Sequence, residues 1–359
     1  MKITFVLPFY TEIPLGGFKV VYEYANHLVR KGHEVTIVCP QQLRGSPSYL
    51  SRFALVYRLL SFHAGLARKR STKWFPLDDN VKLIETPDLD ARYVPNADAI
   101  FATAWQTASC VNGYPREKGS KFYLVQDFPP WLGEKSVLEK TWRMPLKKVA
   151  ISNWLAELIL QAGVPKEDIE VIPDAIDHER FRVMNSIAGR AKRVIMLYSP
   201  KAYKRSAWGV SALLEGKDVV PDLEACFFGP GRRRPSLPSW IEYYGNISEG
   251  DLDKLYNSAS IYLCSSVAEG FALPPAEAMA CGCAVATTDC GGNREYAEHE
   301  KTALVSDPDD FTSLVKNLRR LLSDDELREK IARVGGERVR KLTWEKNTEK
   351  FVEFITTNM

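Results

Sequence analysis

Short apolar runs alternate with stretches of helical periodicity along almost the whole chain. The apolar run at 3–7 is followed by a predicted glycine turn at Gly16 and Gly17. A predicted helix over 18–30 comes next, with Val21, Tyr24, Ala25 and Leu28 spaced as on one of its faces. A strand, a helix and a second strand in this order form a parallel βαβ unit, whose strands are buried on both faces. The predicted strands cover residues 3–7, 34–38, 81–85, 99–102, 122–125, 149–151, 193–198, 223–228, 241–244, 261–264, 284–287 and 303–305. This pattern predicts an α/β protein with two similar halves.

A turn-rich stretch separates the two halves. It follows the strand-like segment at 169–172, and we place the domain boundary between Phe181 and Lys192. The predicted domains are residues 1–182 and 190–343. Helical periodicity dominates the end of the chain, at 309–322, 325–338 and 344–355.

The composition is that of a soluble two-domain protein. With 359 residues, the chain has room for two domains of ordinary size. A net charge of +3 gives no reason to expect a nucleic acid as partner. The seven cysteines follow no disulfide or zinc spacing, which favours buried thiols in a reducing compartment. The N-terminus has the pattern of a strand rather than a signal peptide, and no apolar run is long enough to span a membrane, so we expect a cytoplasmic location.

One stretch departs from this even distribution of charge. Residues 41–77 contain no acidic residue, and seven basic residues lie between Arg44 and Lys73. Apolar residues recur among them at roughly helical spacing. Such a segment either lies on an anionic membrane surface or packs its apolar side on the domain core. The sequence leaves both open, with 44–73 as the candidate contact at the inner face of the cell membrane.

The most informative stretch is residues 265–292. Glu269 lies in a loop that leads into a short helix, for which Pro275 is a suitable first residue and Gly282 a suitable stop. Glu277 is therefore expected in the first helical turn, where the helix dipole favours a carboxylate. The free N–H groups of that turn also suit an anion such as a diphosphate. The helix alone does not decide between a structural and a functional role for Glu277.

Other candidate residues directly follow predicted strands, where parallel sheets place their ligands. They are Lys201, Lys204 and Arg205 after the strand at 193–198, and Gln126 and Asp127 after the strand at 122–125. The three cations suit a diphosphate, because fixed positive charge stabilises a leaving phosphate. Gln126 and Asp127 either contact acceptor hydroxyls or cap a turn. Three Asp-x-Asp strings occupy positions that suit helix caps and turns, so no metal site is predicted.

The string around the two glutamates, E-G-F-x-L-P-x-x-E-A-M-A-x-G, closely resembles the donor-binding motif of retaining glycosyltransferases of family 4, the group 1 type. The segment I-P-D-A-I-D at 172–177 and the cation cluster resemble the same family, so the resemblance covers nearly the whole chain. It implies the GT-B fold, in which two Rossmann-like, doubly wound domains face an interdomain cleft. It also implies that the last helix, 344–359, crosses back to complete the first domain.

The resemblance assigns roles to residues of this chain. Glu269 would contact sugar hydroxyls and Glu277 the ribose diol, since a carboxylate accepts from two neighbouring hydroxyls. Two of Lys201, Lys204 and Arg205 would hold the diphosphate. Because the family's arginine is missing from the first position, the sequence does not say which two. The further donor-binding residues would be Gly270, Phe271, Ala272, Leu273, Gly229, Ile247 and Gly17, and the acceptor-binding residues Gly16, Gln126 and Asp127. Gln126 replaces the family's usual histidine, which argues against a general base there.

The implied activity is transfer of a hexosyl or deoxyhexosyl group from a nucleotide-diphosphate sugar to a glycan or lipid-linked acceptor. Transfer would retain the anomeric configuration and serve the synthesis of a bacterial surface polysaccharide or glycoconjugate. No cofactor and no metal ion is expected. Two alternatives remain: a sugar-nucleotide epimerase of the same fold, and a non-catalytic partner subunit that binds a nucleotide sugar. The sequence names neither the sugar, the base nor the acceptor.

Overall fold

The computed structural model describes residues 1–41, 72–126, 128, 135–247 and 249–359. The chain folds into two compact units, one formed by Met1–Ile172 with Trp344–Met359 and the other by Pro173–Thr343. Almost all of the candidate membrane segment at 44–73 lies outside the described residues, as does Asp127.

The first unit is built on a parallel sheet of seven strands in the order β3-β2-β1-β4-β5-β6-β7. The strands are β1 (Lys2–Val6), β2 (Glu34–Pro40), β3 (Lys82–Thr86), β4 (Ala99–Ala102), β5 (Ser120–Val125), β6 (Lys147–Ala150) and β7 (Ile169–Val171). The helices between them are α1 (Gly16–Arg30), α2 (Trp105–Gly113), α3 (Lys135–Trp142) and α4 (Asn153–Gln161). The apolar runs of the sequence form the buried middle of this sheet, as expected for strands covered on both faces.

The second unit contains a parallel sheet of six strands in the order β10-β9-β8-β11-β12-β13. The strands are β8 (Arg193–Leu197), β9 (Glu224–Phe228), β10 (Ile241–Tyr243), β11 (Ile261–Cys264), β12 (Ala284–Thr288) and β13 (Leu304–Ser306). The helices are α5 (Ser206–Lys217), α6 (Glu249–Asn257), α7 (Leu273–Ala280), α8 (Phe311–Ser323) and α9 (Asp325–Val339). In both sheets the strand order reverses beside the first strand, between β1 and β4 and between β8 and β11, which is where such sheets bind ligands at their carboxyl ends.

The last helix, α10 (Trp344–Thr357), belongs to the first unit. Phe351 stacks on Tyr24 of α1 with ring centroids 4.4 Å apart and on Phe101 of β4 at 4.7 Å. Trp344 meets the edge of Tyr24 at 5.1 Å. The chain therefore returns to its first unit after completing the second, as the resemblance implied. No helix among the described residues is long and apolar enough to span a bilayer.

Two helices begin earlier than the sequence suggested. Helix α1 includes Gly16 and Gly17 as its first residues, because the Leu15 carbonyl already accepts from the N–H groups of Phe18 and Lys19. The expected glycine turn before Phe18 is therefore wrong. Helix α7 begins at Leu273 rather than Pro275, since proline is tolerated throughout a first turn.

The segment after β7 packs in the second unit rather than at the end of the first. The N–H of Ile176 donates to the Leu342 carbonyl over 3.1 Å, and Phe181 packs against Tyr256 with ring centroids 5.9 Å apart. The first unit thus ends its first segment at Ile172, about ten residues before residue 182, where the sequence predicted the end of the first domain.

Candidate active site

Two loops of the second unit are joined at the carboxyl ends of β8 and β11. Because β11 pairs directly with β8, the residues that follow each strand are neighbours. The N–H of Val267 donates to the Tyr203 carbonyl over 2.7 Å. The Ser265 hydroxyl donates to the carbonyls of Lys204 and Arg205 over 3.1 and 2.9 Å. The cation cluster and the glutamate motif, some 65 residues apart in sequence, therefore form one site.

The backbone of Glu269 is held on its other side by the segment after β12. Its N–H donates to the Cys290 carbonyl over 2.8 Å, and its carbonyl accepts from the N–H of Gly292 over 3.1 Å. A Cβ at Gly292 would lie 2.1 Å from the Gly270 carbonyl oxygen, so only glycine allows the two segments to approach this closely. Glycine 292 thus permits the position that Glu269 occupies.

Helix α7 begins with strained backbone. Ala272 has φ +66°, in the left-handed region that residues with a Cβ rarely adopt, and its carbonyl accepts from the Tyr296 hydroxyl over 2.7 Å. Pro274 and Pro275 in the first turn have no N–H. The N–H groups of Ala272 and Leu273 are therefore the ones this helix start can offer to an anion.

The Lys204 ammonium and the Glu269 carboxylate form an ion pair, with Nζ and Oε1 separated by 2.5 Å. Their side chains are only 16% and 11% exposed. Burial lowers the pKa of Lys204, but the charge and hydrogen bond of Glu269, with smaller contributions from Tyr203 and Cys264, outweigh it and raise the pKa above its ordinary value. Lys204 is therefore a permanent cation at neutral pH. Both residues line a cavity of about 10 Å³, room for about one water molecule.

The two other cations of the cluster are placed differently. Arg205 has φ +42°, and its guanidinium pairs with Asp309 over 2.7 Å, donates to the Pro308 carbonyl and stacks on Trp208 at 4.4 Å. Lys201 is exposed, and its ammonium lies 5.7 Å from the Tyr203 ring centroid, close to the 5.6 Å of Lys204. Lys201 and Lys204 thus both lie near the Tyr203 ring, whereas the contacts of Arg205 hold the loop.

Glu277 is the fifth residue of α7, in its second turn, so the expected position in the first turn is wrong. The helix dipole therefore does not explain the Glu277 carboxylate, because its stabilising effect on a negative charge is confined to the terminal turn. Glu277 is 4% exposed and accepts from the Tyr256 hydroxyl over 3.1 Å. Burial, and then the nearby Glu277 charge, raise the pKa of Tyr256 well above its ordinary value, so the tyrosine remains a neutral donor.

Gly229 joins the carboxyl ends of β8 and β9. It has φ +149°, and a Cβ there would lie 2.0 Å from the Tyr198 carbonyl oxygen. Its N–H donates to the Gly245 carbonyl over 2.9 Å, which brings the loop containing Ile247 to the same edge of the sheet. Arg233 of the following arginine run donates to the carbonyls of Leu237 and Pro238, both over 2.7 Å, and so holds its own loop.

In the first unit, Gly17 and Gln126 lie against each other. A Cβ at Gly17 would lie 3.3 Å from the Gln126 Oε1 atom, and the Gln126 side-chain amide donates to the Thr103 carbonyl over 3.4 Å. Gly16 has open space around it. These residues share the carboxyl edge of β4 and β5 with two that the sequence analysis missed, Trp105 and Gln106.

Three buried polar atoms at this edge have no hydrogen-bond partner among the described residues: Trp105 Nε1, Gln106 Oε1 and Gln126 Oε1. Such atoms are rare in folded proteins and point to water or a ligand. Trp105 and Gln106 follow shortly after β4. The argument that identified Gln126, that parallel sheets place ligands just after their strands, therefore applied to these two residues as well.

The described residues contain no group of three or more His, Cys, Asp or Glu side chains that could hold a metal ion. None of the seven cysteines, which all lie among the described residues, forms a disulfide, and all except Cys110 are buried. Asp90 caps a short 3₁₀ turn by accepting from the Arg92 N–H, and Asp309 pairs with Arg205. These aspartates have structural partners.

Residues 236–338 match the family described as glycosyl transferases group 1. The predicted resemblance to group 1 glycosyltransferases is thereby confirmed. This chain is 25% identical to the O-antigen biosynthesis protein RfbC of Myxococcus xanthus over 282 residues, which are 76% of this chain and 22% of RfbC. It is 23% identical to the phosphatidyl-myo-inositol mannosyltransferase of Mycolicibacterium smegmatis over 367 residues, which are 96% of this chain and 90% of that one.

The GT-B fold is confirmed by a solved structure. The crystal structure of Anabaena Alr3699/HepE in complex with UDP and glucose superposes with a TM-score of 0.76 at 15% identity, covering 99% of this chain and 100% of that one.

Proposed function

We propose that this protein transfers a sugar from a nucleotide-diphosphate sugar to a glycan or lipid-linked acceptor, with retention of the anomeric configuration. The observation that carries the proposal is the pairing of Lys204 with Glu269 beside the start of α7. A fixed cation and a fixed carboxylate lie side by side. In a nucleotide-sugar donor the phosphate is next to the sugar, so the cation suits the phosphate charge and the carboxylate suits the sugar hydroxyls.

We assign the parts of the donor as follows. Lys204 and Lys201 take the diphosphate, together with the N–H groups of Ala272 and Leu273; Arg205 anchors the loop. Glu269 and the adjoining backbone of Gly270 and Phe271 take the sugar. Glu277, Gly229 and Ile247 take the nucleoside, with Glu277 on the ribose diol.

The proposed reaction needs no protein base. Departure of the nucleoside diphosphate places extra negative charge on its terminal phosphate, and Lys204 is already present to stabilise it without reorganisation. The leaving phosphate oxygen takes the proton of the acceptor hydroxyl as the acceptor attacks from the same face. A glycosidase-like pair of carboxylates is less suitable, because Glu269 is held by Lys204 and Glu277 accepts from Tyr256.

We place the acceptor at the carboxyl edge of the first sheet, at Gly16 and Gln126. The unpaired buried Gln126 Oε1 atom supports this placement. Asp127, which lies outside the described residues, stays a candidate acceptor contact from the sequence. Of the two relatives, RfbC is named for O-antigen biosynthesis and the mannosyltransferase for phosphatidyl-myo-inositol, which is a lipid. We therefore propose a surface glycan or a lipid-linked glycan as acceptor. A sugar-nucleotide epimerase, the second candidate, would form product from the nucleotide sugar without any acceptor.

A thermal-shift screen with UDP, GDP, dTDP and ADP tests the donor site. A nucleotide present at ~100 times its dissociation constant should stabilise the folded chain by ~2.7 kcal/mol, which corresponds to a rise in melting temperature of roughly 5–10 °C. We expect one nucleotide to stand out and its effect to be the same in EDTA and in Mg²⁺, because we propose no metal at the site. No shift with any of the four would contradict the proposed function.

We also propose that the basic segment at 44–73 binds the cytoplasmic face of the cell membrane. The protein should then co-sediment with anionic vesicles but not with zwitterionic ones. Binding to the anionic vesicles should weaken as the salt concentration is raised from low to physiological. The matched variant replaces Arg68, Lys69 and Arg70 by glutamine and should bind less. Equal sedimentation with both kinds of vesicle would remove the membrane proposal and leave the donor site untouched.

A further inference from the structure

We infer that the Lys204–Glu269 ion pair makes the site discriminate against a nucleotide that carries no sugar, and so favours release of the nucleoside diphosphate product. This inference rests on the proposed function and deepens it. It gives Glu269 a second role, in addition to contact with the sugar: control of the affinity for the product.

The positions of Lys204 and Glu269 are fixed by backbone hydrogen bonds and by burial, so a ligand cannot separate the two charges without cost. The backbone at Lys204 is held by the Ser265 hydroxyl, and the neighbouring Tyr203 carbonyl accepts from the Val267 N–H over 2.7 Å. The backbone of Glu269 is held by Cys290 and Gly292. Both side chains are almost buried, so neither charge can exchange its partner for bulk water at no cost.

A nucleoside diphosphate must compete with Glu269 for the Lys204 ammonium. Among the described residues, Lys204 is the hydrogen-bond donor to the Glu269 carboxylate. If the terminal phosphate takes Lys204, Glu269 stays behind as a buried carboxylate without its donor, beside a second negative charge. Removing one partner of a buried ion pair is strongly unfavourable for this reason.

A nucleotide sugar does not meet this penalty. Its phosphate takes Lys204, while its sugar hydroxyls donate to Glu269, so both charges keep a partner. The cavity that the pair lines has room for only about one water molecule, so little solvent reaches the two charges from that side. Once the sugar has left, the pair re-forms and displaces the product phosphate.

The test is the affinity for a nucleoside diphosphate, measured by calorimetry with the nucleotide selected by the thermal-shift screen. Glu269→Gln keeps the size of the side chain but removes its charge, so it should bind the diphosphate about tenfold more tightly than the unchanged protein. The matched control is Glu298→Gln, which removes the charge of an exposed glutamate paired with Lys301 in the same unit and should leave this affinity unchanged. In the Lys204→Met background, adding Glu269→Gln should raise the affinity less, because only the repulsion between the carboxylate and the phosphate is then removed.

The unchanged protein supplies an independent measurement should Glu269→Gln fail to fold. It should bind the matching nucleotide sugar about tenfold more tightly than the diphosphate, although the diphosphate carries the larger negative charge. The inference is overturned if Glu269→Gln binds the diphosphate no more tightly than the unchanged protein, or if the unchanged protein prefers the diphosphate. In either case measurable diphosphate binding leaves the proposed function standing, whereas no binding by any variant overturns both.

Discussion

Replacing Glu269 by alanine is expected to lower kcat by about 10²–10³-fold while the affinity for the nucleoside diphosphate is raised. The carboxylate is the group that meets the sugar in our assignment, and its backbone is fixed from two sides so that no neighbour can take over its position. The measurement is turnover at saturating donor and acceptor, with diphosphate affinity followed in parallel.

Asp309→Ala is the control for this experiment. Asp309 pairs with Arg205, the residue after Lys204. The Asp309 side chain is 77% exposed, so its removal should change kcat by no more than a few-fold. Near-normal turnover of Glu269→Ala would show that the sugar is held elsewhere. A collapse of both turnover and diphosphate affinity would instead indicate a structural role.

The second large effect is expected from Gly292→Ala. The added methyl group would lie 2.1 Å from the Gly270 carbonyl oxygen and 2.6 Å from the Phe271 Cα atom, which are backbone atoms that cannot turn aside. Overpacking of this kind costs about 3 kcal/mol, so the melting temperature of the second unit should fall by roughly 6–12 °C. Turnover should fall as well, because Glu269 is held by the same segment.

Gly250→Ala provides the comparison within the second unit. Gly250 lies in α6 and a Cβ there would meet nothing within 4 Å. Alanine is favoured over glycine in a helix by about 1 kcal/mol, so this variant should melt at the same temperature or slightly higher. Unchanged calorimetric melting of Gly292→Ala would mean that the segments at 270 and 292 separate easily.

The strands and the position of the motif could be predicted because they depend on local patterns. Apolar runs of strand length have no alternative to burial, and the loop before α7 directly follows such a run. The start of α7 was missed because Ala272 adopts a left-handed conformation that its sequence does not favour. Only the packing of Tyr296 and the 290–292 segment around this loop explains it.

The division of labour among the three cations could not be read from the sequence either. Lys204 and Arg205 are adjacent and chemically alike, but the left-handed backbone at Arg205 accompanies its pairing with Asp309, about a hundred residues later in the chain. Lys204 instead meets Glu269. Both outcomes depend on partners that are distant in sequence, as does the contact between Gly17 and Gln126.

The position of α10 has a consequence for synthesis on the ribosome. The aromatic core of the first unit includes Phe351, which stacks between Tyr24 and Phe101. Residues 1–172 are translated first, but this core is incomplete until α10 has emerged from the exit tunnel. All residues of the second unit emerge earlier. The first unit is therefore begun before the second unit but completed after it.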